Sequence, residues 1–424
     1  MMYLIKNAKI VVKDNETKIQ DILVEDGKIK RIGDIIDCEC DTYDAHSHLV
    51  IPGGIDVHAH LREPGYEYKE TIKTGTMAAA HGGYTTIMAM PNVIPFPDHV
   101  EVMKAYQQKI KEDACVNVIP YACITMQEAG NEIVDMKALK EKCGIRAFSD
   151  DGVGVQQTDS MVKAMNMAYD NDVMIVAHTE DMHYRQPRAC VHEGKNNHEH
   201  GWIGIPSECE WKQIERDLKI AYQTKAKYHI CHMSAKESVD LLRKYKKMGA
   251  DVSGEVTTHH LLLSEHDVVN PNYKMNPPLR SVEDRSALIE GLLDGTIDFI
   301  ANDHAPHSEE EKNKPMDKAP FGIVALETSI PLIYTYFVKK GILTLEQFIH
   351  VISTNAAQRF QLANKGKLAE GYDADLVVLS DDMKAIDKKE FYSMGKNTPF
   401  DGITVQGCSL LTMVNGKIVY QKGV

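Results

Sequence analysis

A chain of 424 residues exceeds one ordinary domain and suits a barrel of roughly 250 to 300 residues with a smaller companion. Its 48 basic and 61 acidic residues leave a formal charge of -13, which argues against nucleic acid and anionic lipid as general partners and means that an anionic substrate needs local positive charge. No apolar run approaches the roughly 20 residues of a membrane span. The nine cysteines, at 38, 40, 115, 123, 143, 190, 209, 231 and 408, form an odd and scattered set, so we expect a soluble, cytoplasmic protein with reduced thiols.

Residues 1–50 read as short strands and turns, with a hairpin of Ile22-Leu-Val24 and Lys28-Ile-Lys30 about Asp26-Gly27. From residue 51 to 354 the chain alternates short apolar β-branched runs with helical stretches. Eight strands are expected near 54–58, 84–90, 116–121, 145–149, 173–178, 228–232, 251–256 and 297–302. Between them lie helices such as Glu70 to His81, stopped by Gly82-Gly83, Met161 to Tyr169, and Ser234 to Lys247. Residues 355–424 return to strands, Asp375-Leu-Val-Val-Leu379 and Leu410-Leu-Thr-Met-Val414, the latter joined through Asn415-Gly416 to Lys417-Ile-Val-Tyr420. The expected fold is α/β: a (β/α)8 TIM-type barrel with a small β-sandwich domain built from both chain ends.

In such a barrel chemistry collects where the strands end. His58 and His60 follow the first expected strand, Asp150-Asp151 the fourth, His178 the fifth, His232 the sixth and Asp303 the eighth. His178 or His232 alone reads best as a satisfied core histidine, and Asp303 alone as a cap. Four imidazoles and at least two carboxylates converging on one mouth instead suit a pair of divalent ions, zinc first. Such ions lower the pKa of water so that hydroxide forms at neutral pH, and Asp303 is the candidate to touch metal and move protons. His192, His198 and His200, among Asn, Glu, Gly and Lys, read as a mobile surface loop.

Arg62, two residues beyond His60, offers a planar fork for a substrate carboxylate. Asn92 in Met90-Pro-Asn and Asn276 in Lys274-Met-Asn-Pro-Pro-Leu-Arg280 serve equally well as substrate contacts or turn residues. His307 is a candidate donor over the mouth. Residues 305–320, rich in Glu, Lys and Pro, fit either a lid or a solvated charged loop.

Seven motifs together resemble the metal-dependent amidohydrolase superfamily and, within it, the type I dihydroorotase family, over essentially the full chain. They are Pro52-Gly-Gly-Ile-Asp-Val-His-Ala-His-Leu-Arg-Glu-Pro-Gly65, Gly82-Gly-Tyr-Thr-Thr86 with Met90-Pro-Asn92, Phe148-Ser-Asp-Asp-Gly-Val-Gly154, Glu255-Val-Thr-Thr-His-His-Leu-Leu262, Lys274 to Arg280, Asp303-His-Ala-Pro-His307 and Ala319-Pro-Phe-Gly322. The resemblance implies two zinc ions per subunit, one on His58, His60 and Asp303 and one on His178 and His232, bridged by an aspartate. Spacing leaves Asp150 and Asp151 open, and the family's Asp-Asp-Gly pattern implies Asp151. It further implies that His60, Arg62, Asn92, Asn276 and His307 hold substrate, helped by the backbone around Phe321 and Gly322, with Asp303 as proton shuttle. The implied reaction is reversible cyclisation of N-carbamoyl-L-aspartate to (S)-dihydroorotate, a step of pyrimidine synthesis. Oligomeric state and association with another enzyme of that pathway stay open.

Two rivals are set against this reading. Hydantoinases, dihydropyrimidinases and allantoinases resemble the chain in its His-x-His start but usually bridge their metals with a carboxylated lysine after the fourth strand; here that place reads Phe-Ser-Asp-Asp-Gly, and Lys142 and Lys163 lie in neighbouring helical stretches. A non-catalytic scaffold would have lost metal ligands, and none is lost here.

Overall fold

A computed structural model describes residues 2–423. Eight parallel strands form the barrel: β1 (Gly54–Ala59), β2 (Tyr84–Ala89), β3 (Asn117–Pro120), β4 (Ala147–Phe148), β5 (Met174–Ala177), β6 (Lys227–Ile230), β7 (Val252–Thr257) and β8 (Phe299–Ala301). Pairing runs β1 to β3 and β4 to β8. Single parallel bridges, Ala122 to Phe148 and Ala59 to His304, join these two arcs. β1, β2 and β7 are buried along their whole length, because parallel strands are covered by side chains inside and helices outside. Ile55, Val57, Met88, Tyr121, Met174 and Phe299 fill the interior.

The first barrel helix, Ile72–Gly82, shows how local chemistry sets the element ends. Thr71 caps it by accepting from the Thr74 amide, and Gly83 ends it at φ 87, a left-handed conformation that glycine adopts without strain. The chain then enters β2 at Tyr84.

The two chain ends share one curled sheet. Its path runs from Lys417–Gln421 through Ser409–Val414, Leu376–Leu379, Leu49–Pro52, Met2–Lys13 and Glu16–Glu25 to Lys28–Gly33. Both expected hairpins are present, at opposite ends of this path. The sheet nevertheless folds back on itself. A Cβ on Gly27 would lie 3.0 Å from the Asn415 carbonyl, and Ile5, Ile22, Ile29, Leu376 and Met413 meet in one core, so two layers of a sandwich form.

The helix Asn355–Arg359 and Phe360 pack on the barrel, Asn355 through a bond to the Asp298 carbonyl and Phe360 against Tyr121, His229 and Phe299. We propose from this packing that the barrel domain runs from Gly53 to Leu362, starting and ending later than the 51–354 expected from the alternation of strands and helices. The His192 region also differs from its reading as a mobile loop. His192 pairs in a short strand, Lys195–His200 is helical, and His200 stacks on Trp202 with ring centroids 4.3 Å apart.

Candidate active site

β1 delivers His58 from within the strand and His60 just past its end, both pointing to the C-terminal mouth. His58 Nε2 lies 3.3 Å from Asp151 Oδ1 and 3.5 Å from Asp303 Oδ1. His60 Nε2 lies 3.1 Å from Asp303 Oδ1 and 3.5 Å from Asp151 Oδ2. His178 and His232, after β5 and β6, bring Nδ1 and Nε2 to 3.1 Å of each other, each 3.7 Å from Asp151 Oδ1. Six ligand-type side chains from five strand ends therefore meet around Asp151.

Two of these atoms, His58 Nε2 and Asp151 Oδ1, are buried without a hydrogen-bond partner. Orphaned buried polar atoms are costly unless something else satisfies them, and two divalent ions would do so. His58, His60 and Asp303 form one compact donor group, and His58, Asp151 and His232 another. Imidazole and carboxylate suit borderline ions such as zinc. Burial alone would raise the Asp151 and Asp303 carboxyls, but the surrounding imidazoles outweigh it and hold both well below the usual carboxylate range.

Asp150 faces the other way. Its carboxylate accepts from the Ile124 amide at 2.7 Å, the Thr125 amide at 3.1 Å and the Thr125 hydroxyl at 2.5 Å, which leaves Asp151 as the member of the pair turned toward the imidazoles.

Beside the cluster opens a cavity of about 240 Å³ lined by His60, Arg62, Asn92, Asp151, His178, His232, Asn276, Asp303, His307, Phe321 and Gly322, together with Gly152, Arg185 and Ala305. Arg62 bonds the Pro306 carbonyl through Nε at 3.2 Å, and Nη2 lies 3.4 Å from His307 Nε2. No carboxylate among the described residues lies in ion-pair contact with it, so its charge is available to an anionic group entering the cavity.

Comparison with known proteins fits this geometry. The family profile described as Dihydro-orotase-like matches residues 47–238, and that of the Amidohydrolase family matches residues 329–420. A dihydroorotase of Bacillus cytotoxicus is 50% identical over 426 residues, covering 100% of this chain and 99% of that protein. The chain belongs to the dihydroorotase family. A second dihydroorotase, from Bacillus cereus, is 49% identical over the same span. Among solved structures, an L-hydantoinase (dihydropyrimidinase) of Arthrobacter aurescens superposes with a TM-score of 0.89 at 28% identity, covering 100% of this chain and 96% of that one. A D-hydantoinase of a Thermus species gives 0.84 at 26% identity, with the same coverage. The dihydroorotase family and the hydantoinases thus share the barrel and sandwich. At the β4 end this chain presents Asp151, whereas Lys142 and Lys163 lie on or within the helices Met136–Cys143 and Thr158–Asp170.

Around this dihydroorotase-family site lie groups that sequence reasoning missed. Glu255, in β7, accepts from His58 Nδ1 at 2.8 Å, from His229 Nε2 at 3.0 Å and from the His232 amide at 3.1 Å. Burial opposes its charge, but His58 and His229 hold its carboxyl at about 2. A charge inside an otherwise uncharged, fully buried strand was the available signal. Glu180 lies 3.4 Å from His178 Nε2, accepts from Asn276 Nδ2 at 2.8 Å and pairs with Arg185. Asn92 holds the tautomer of His60 by accepting from its Nδ1 at 2.9 Å.

The 305–320 segment keeps a solvated outer face, with Glu309, Glu310, Asn313, Lys314 and Lys318 exposed, while its inner side is pinned by lysines. Lys312 is buried and donates to the carbonyls of Lys274, Pro320 and Gly322, and Lys274 donates to those of Met316 and Ala319. Phe321 is held between the Arg185 guanidinium, 4.8 Å from its ring centre, and the Lys274 ammonium at 4.3 Å. At Gly322, φ 122, a Cβ would meet that of Ala305 at 2.6 Å, so a side chain there would displace the cavity wall. His307 has Lys69 Nζ 3.3 Å from Nδ1 and the Phe321 carbonyl 2.7 Å from Nε2. Burial, with Arg62 and Lys69 nearby, pushes its pKa far down, so it is a neutral ring with Nδ1 accepting and Nε2 donating.

Proposed function

We propose that this chain is a dihydroorotase, catalysing the reversible cyclisation of N-carbamoyl-L-aspartate to (S)-dihydroorotate and water with two zinc ions per subunit. Arg62 carries this reading: a guanidinium without a carboxylate partner shares one cavity with the His and Asp cluster. His58, His60 and Asp303 would hold one ion, His178 and His232 the other, with Asp151 between them. Held by these residues, the ions would supply Lewis acidity to the reacting carbonyl and would lower the pKa of a bound water from 15.7 toward about 7.

This chain's own residues do the rest. Arg62, with Asn92 and His307, binds the ring carboxylate, which a charged fork recognises and a neutral ring lacks. Asn276 and the backbone at Phe321 and Gly322 orient the opposite edge of the ring. The Asp303 carboxyl, which burial alone would raise, is held ionised by His60, His58 and His232, so it meets the substrate unprotonated. In the hydrolytic direction the ring C–N bond breaks as water adds to the carbonyl carbon, and Asp303 delivers the proton to the leaving nitrogen. In ring closure it removes a proton from the ureido nitrogen as that nitrogen attacks the side-chain carboxyl and water departs.

Cytoplasmic residence belongs to the same proposal. All nine cysteines are free, in keeping with a reducing compartment, and no helix among the described residues is long and apolar enough to cross a membrane.

The test is turnover of (S)-dihydroorotate and N-carbamoyl-L-aspartate by purified protein, with a strong chelator and then with zinc restored, beside hydantoin and dihydrouracil. Conversion of the two acids that is lost on chelation and regained with zinc is the expected result. Turnover of the neutral rings alone would transfer the site to the hydantoinase reading. No turnover by zinc-loaded protein would favour a scaffold.

A further inference from the structure

The part of the cavity wall formed by Ala305, His307 and Gly322 is held by a segment that approaches from the C-terminal part of the chain. Glu327 accepts from the amides of Tyr392 at 2.8 Å and Ser393 at 3.2 Å. Glu70 accepts from the Ser393 hydroxyl at 2.5 Å and the Met394 amide at 3.2 Å. Lys396 folds back to donate to the carbonyls of Phe391 and Ser393, both at 2.7 Å. The segment runs so close to the wall that a Cβ on Gly395 would lie 2.8 Å from that of Pro306. Two buried carboxylates and a lysine thus deliver the next side chain, Asn397, to a defined place.

Asn397 is 3% exposed and does not line the cavity. Its Oδ1 accepts from the His307 amide at 3.2 Å, while Nδ2 donates to the carbonyls of Ala305 at 3.1 Å and Gly322 at 3.0 Å. Its own carbonyl accepts from the Val324 amide at 2.9 Å. One carboxamide therefore joins the backbone on both sides of the 305–322 excursion. Only a group with an acceptor and two donors in one plane makes these three bonds; a carboxylate would set a negative oxygen against two carbonyls. His307 closes the circuit through its bond to the Phe321 carbonyl.

We infer that Asn397 is a positioning residue for substrate recognition, fixing the backbones of His307 and Gly322 so that they meet the ring and its carboxylate. The inference rests on the dihydroorotase reading above. None of the six candidate metal ligands bonds to Asn397, so its loss acts on substrate binding and leaves the ions in place. A displacement of about 1 Å in such a wall takes hydrogen bonds to the ring beyond their useful length.

Asn397→Ala and Asn397→Ser, prepared as full-length zinc-loaded protein, test this. Expected is a KM for (S)-dihydroorotate raised about tenfold or more, with kcat within about threefold and zinc content equal to that of the unaltered protein. A merely structural role would lower the melting temperature and leave KM within about twofold, and that result overturns the inference. Loss of zinc in step with kcat overturns it too. The serine variant decides the matter where the alanine variant does not fold. Amide hydrogen exchange at His307 reads the clamp without turnover: at least ~tenfold faster exchange in the variant is expected, and unchanged exchange overturns the clamp even if the unaltered protein does not process dihydroorotate, which would defeat the dihydroorotase reading separately.

Discussion

His58 Nδ1 and Glu255 Oε1 stand 2.8 Å apart on the floor of the site, both side chains fully enclosed. Nδ1 is thereby a donor, and Nε2 is the nitrogen turned toward Asp151 and Asp303, the one an ion would meet. Because the same carboxylate accepts from His229 and from the backbone of His232, one glutamate on β7 orients a candidate ligand from β1 and the chain that carries a candidate ligand from β6. Carboxylate partners of this kind raise the basicity of a metal-binding imidazole and fix its direction.

Replacing Glu255 with Gln is expected to weaken zinc binding by roughly 10- to 100-fold, measured by competition with a chelator of known affinity. Zinc affinity equal to that of the unaltered protein would show that His58 is oriented by other groups.

Arg62→Met removes the cavity guanidinium proposed to meet the substrate carboxylate while leaving the cluster intact. Loss of a two-pronged charged contact costs about 2 to 3 kcal/mol, so kcat/KM falls roughly 30- to 150-fold, with zinc content unchanged. Steady-state kinetics beside metal analysis separates the two effects, and normal turnover would remove Arg62 from recognition.

Asp150 and Asp151 are adjacent in sequence and face opposite ways. Asp151→Ala is expected to lower the zinc bound per folded molecule. Asp150→Ala strips the acceptor from Thr125 and from two buried amides, at a cost of about 2 to 4 kcal/mol; it should depress the melting temperature and change zinc content less. The reverse pattern would move the bridging carboxylate to Asp150.

His192 gives the fold a pH dependence remote from the catalytic cluster. Burial first, then the nearby Arg280, push its pKa down to about 4 from an ordinary 6.5. Between those values the native state holds fewer protons than the unfolded chain, so stability is full above pH 6.5 and is lost as the pH falls toward 4. The loss is on the order of 2 kcal/mol by pH 5. His192→Gln should remove that part of the acid limb in urea titrations at pH 8 and pH 5, and an unchanged difference would assign it elsewhere.

Much of the site was legible in the chain because it sits at strand ends. A parallel barrel strand is buried on both faces and so reads as a short apolar run, and a polar residue where the run stops is conspicuous: His58, His60, His178, His232 and Asp303 all stand out in this way. Glu255 carried a comparable signal, a charge inside Val252–Thr257, and was passed over because it precedes the strand end. The 305–320 segment is solvated on its outer side, as its Glu, Lys and Pro content suggests, but the inward turn of Lys312, and of Lys274 from outside it, to backbone carbonyls has no local signature.

By itself the sequence determined the barrel, the sandwich shared by the chain ends, the residue types gathered at the mouth and an arginine suited to a carboxylate, since each follows from local periodicity and chemical type. Only the tertiary structure decided that Asp151 rather than Asp150 faces the imidazoles, which nitrogen of His58 and of His60 turns toward the cluster, and that Asn397 reaches the wall carrying His307. Those outcomes depend on hydrogen bonds between residues tens to hundreds of positions apart, and no local pattern encodes a partner that only folding brings near.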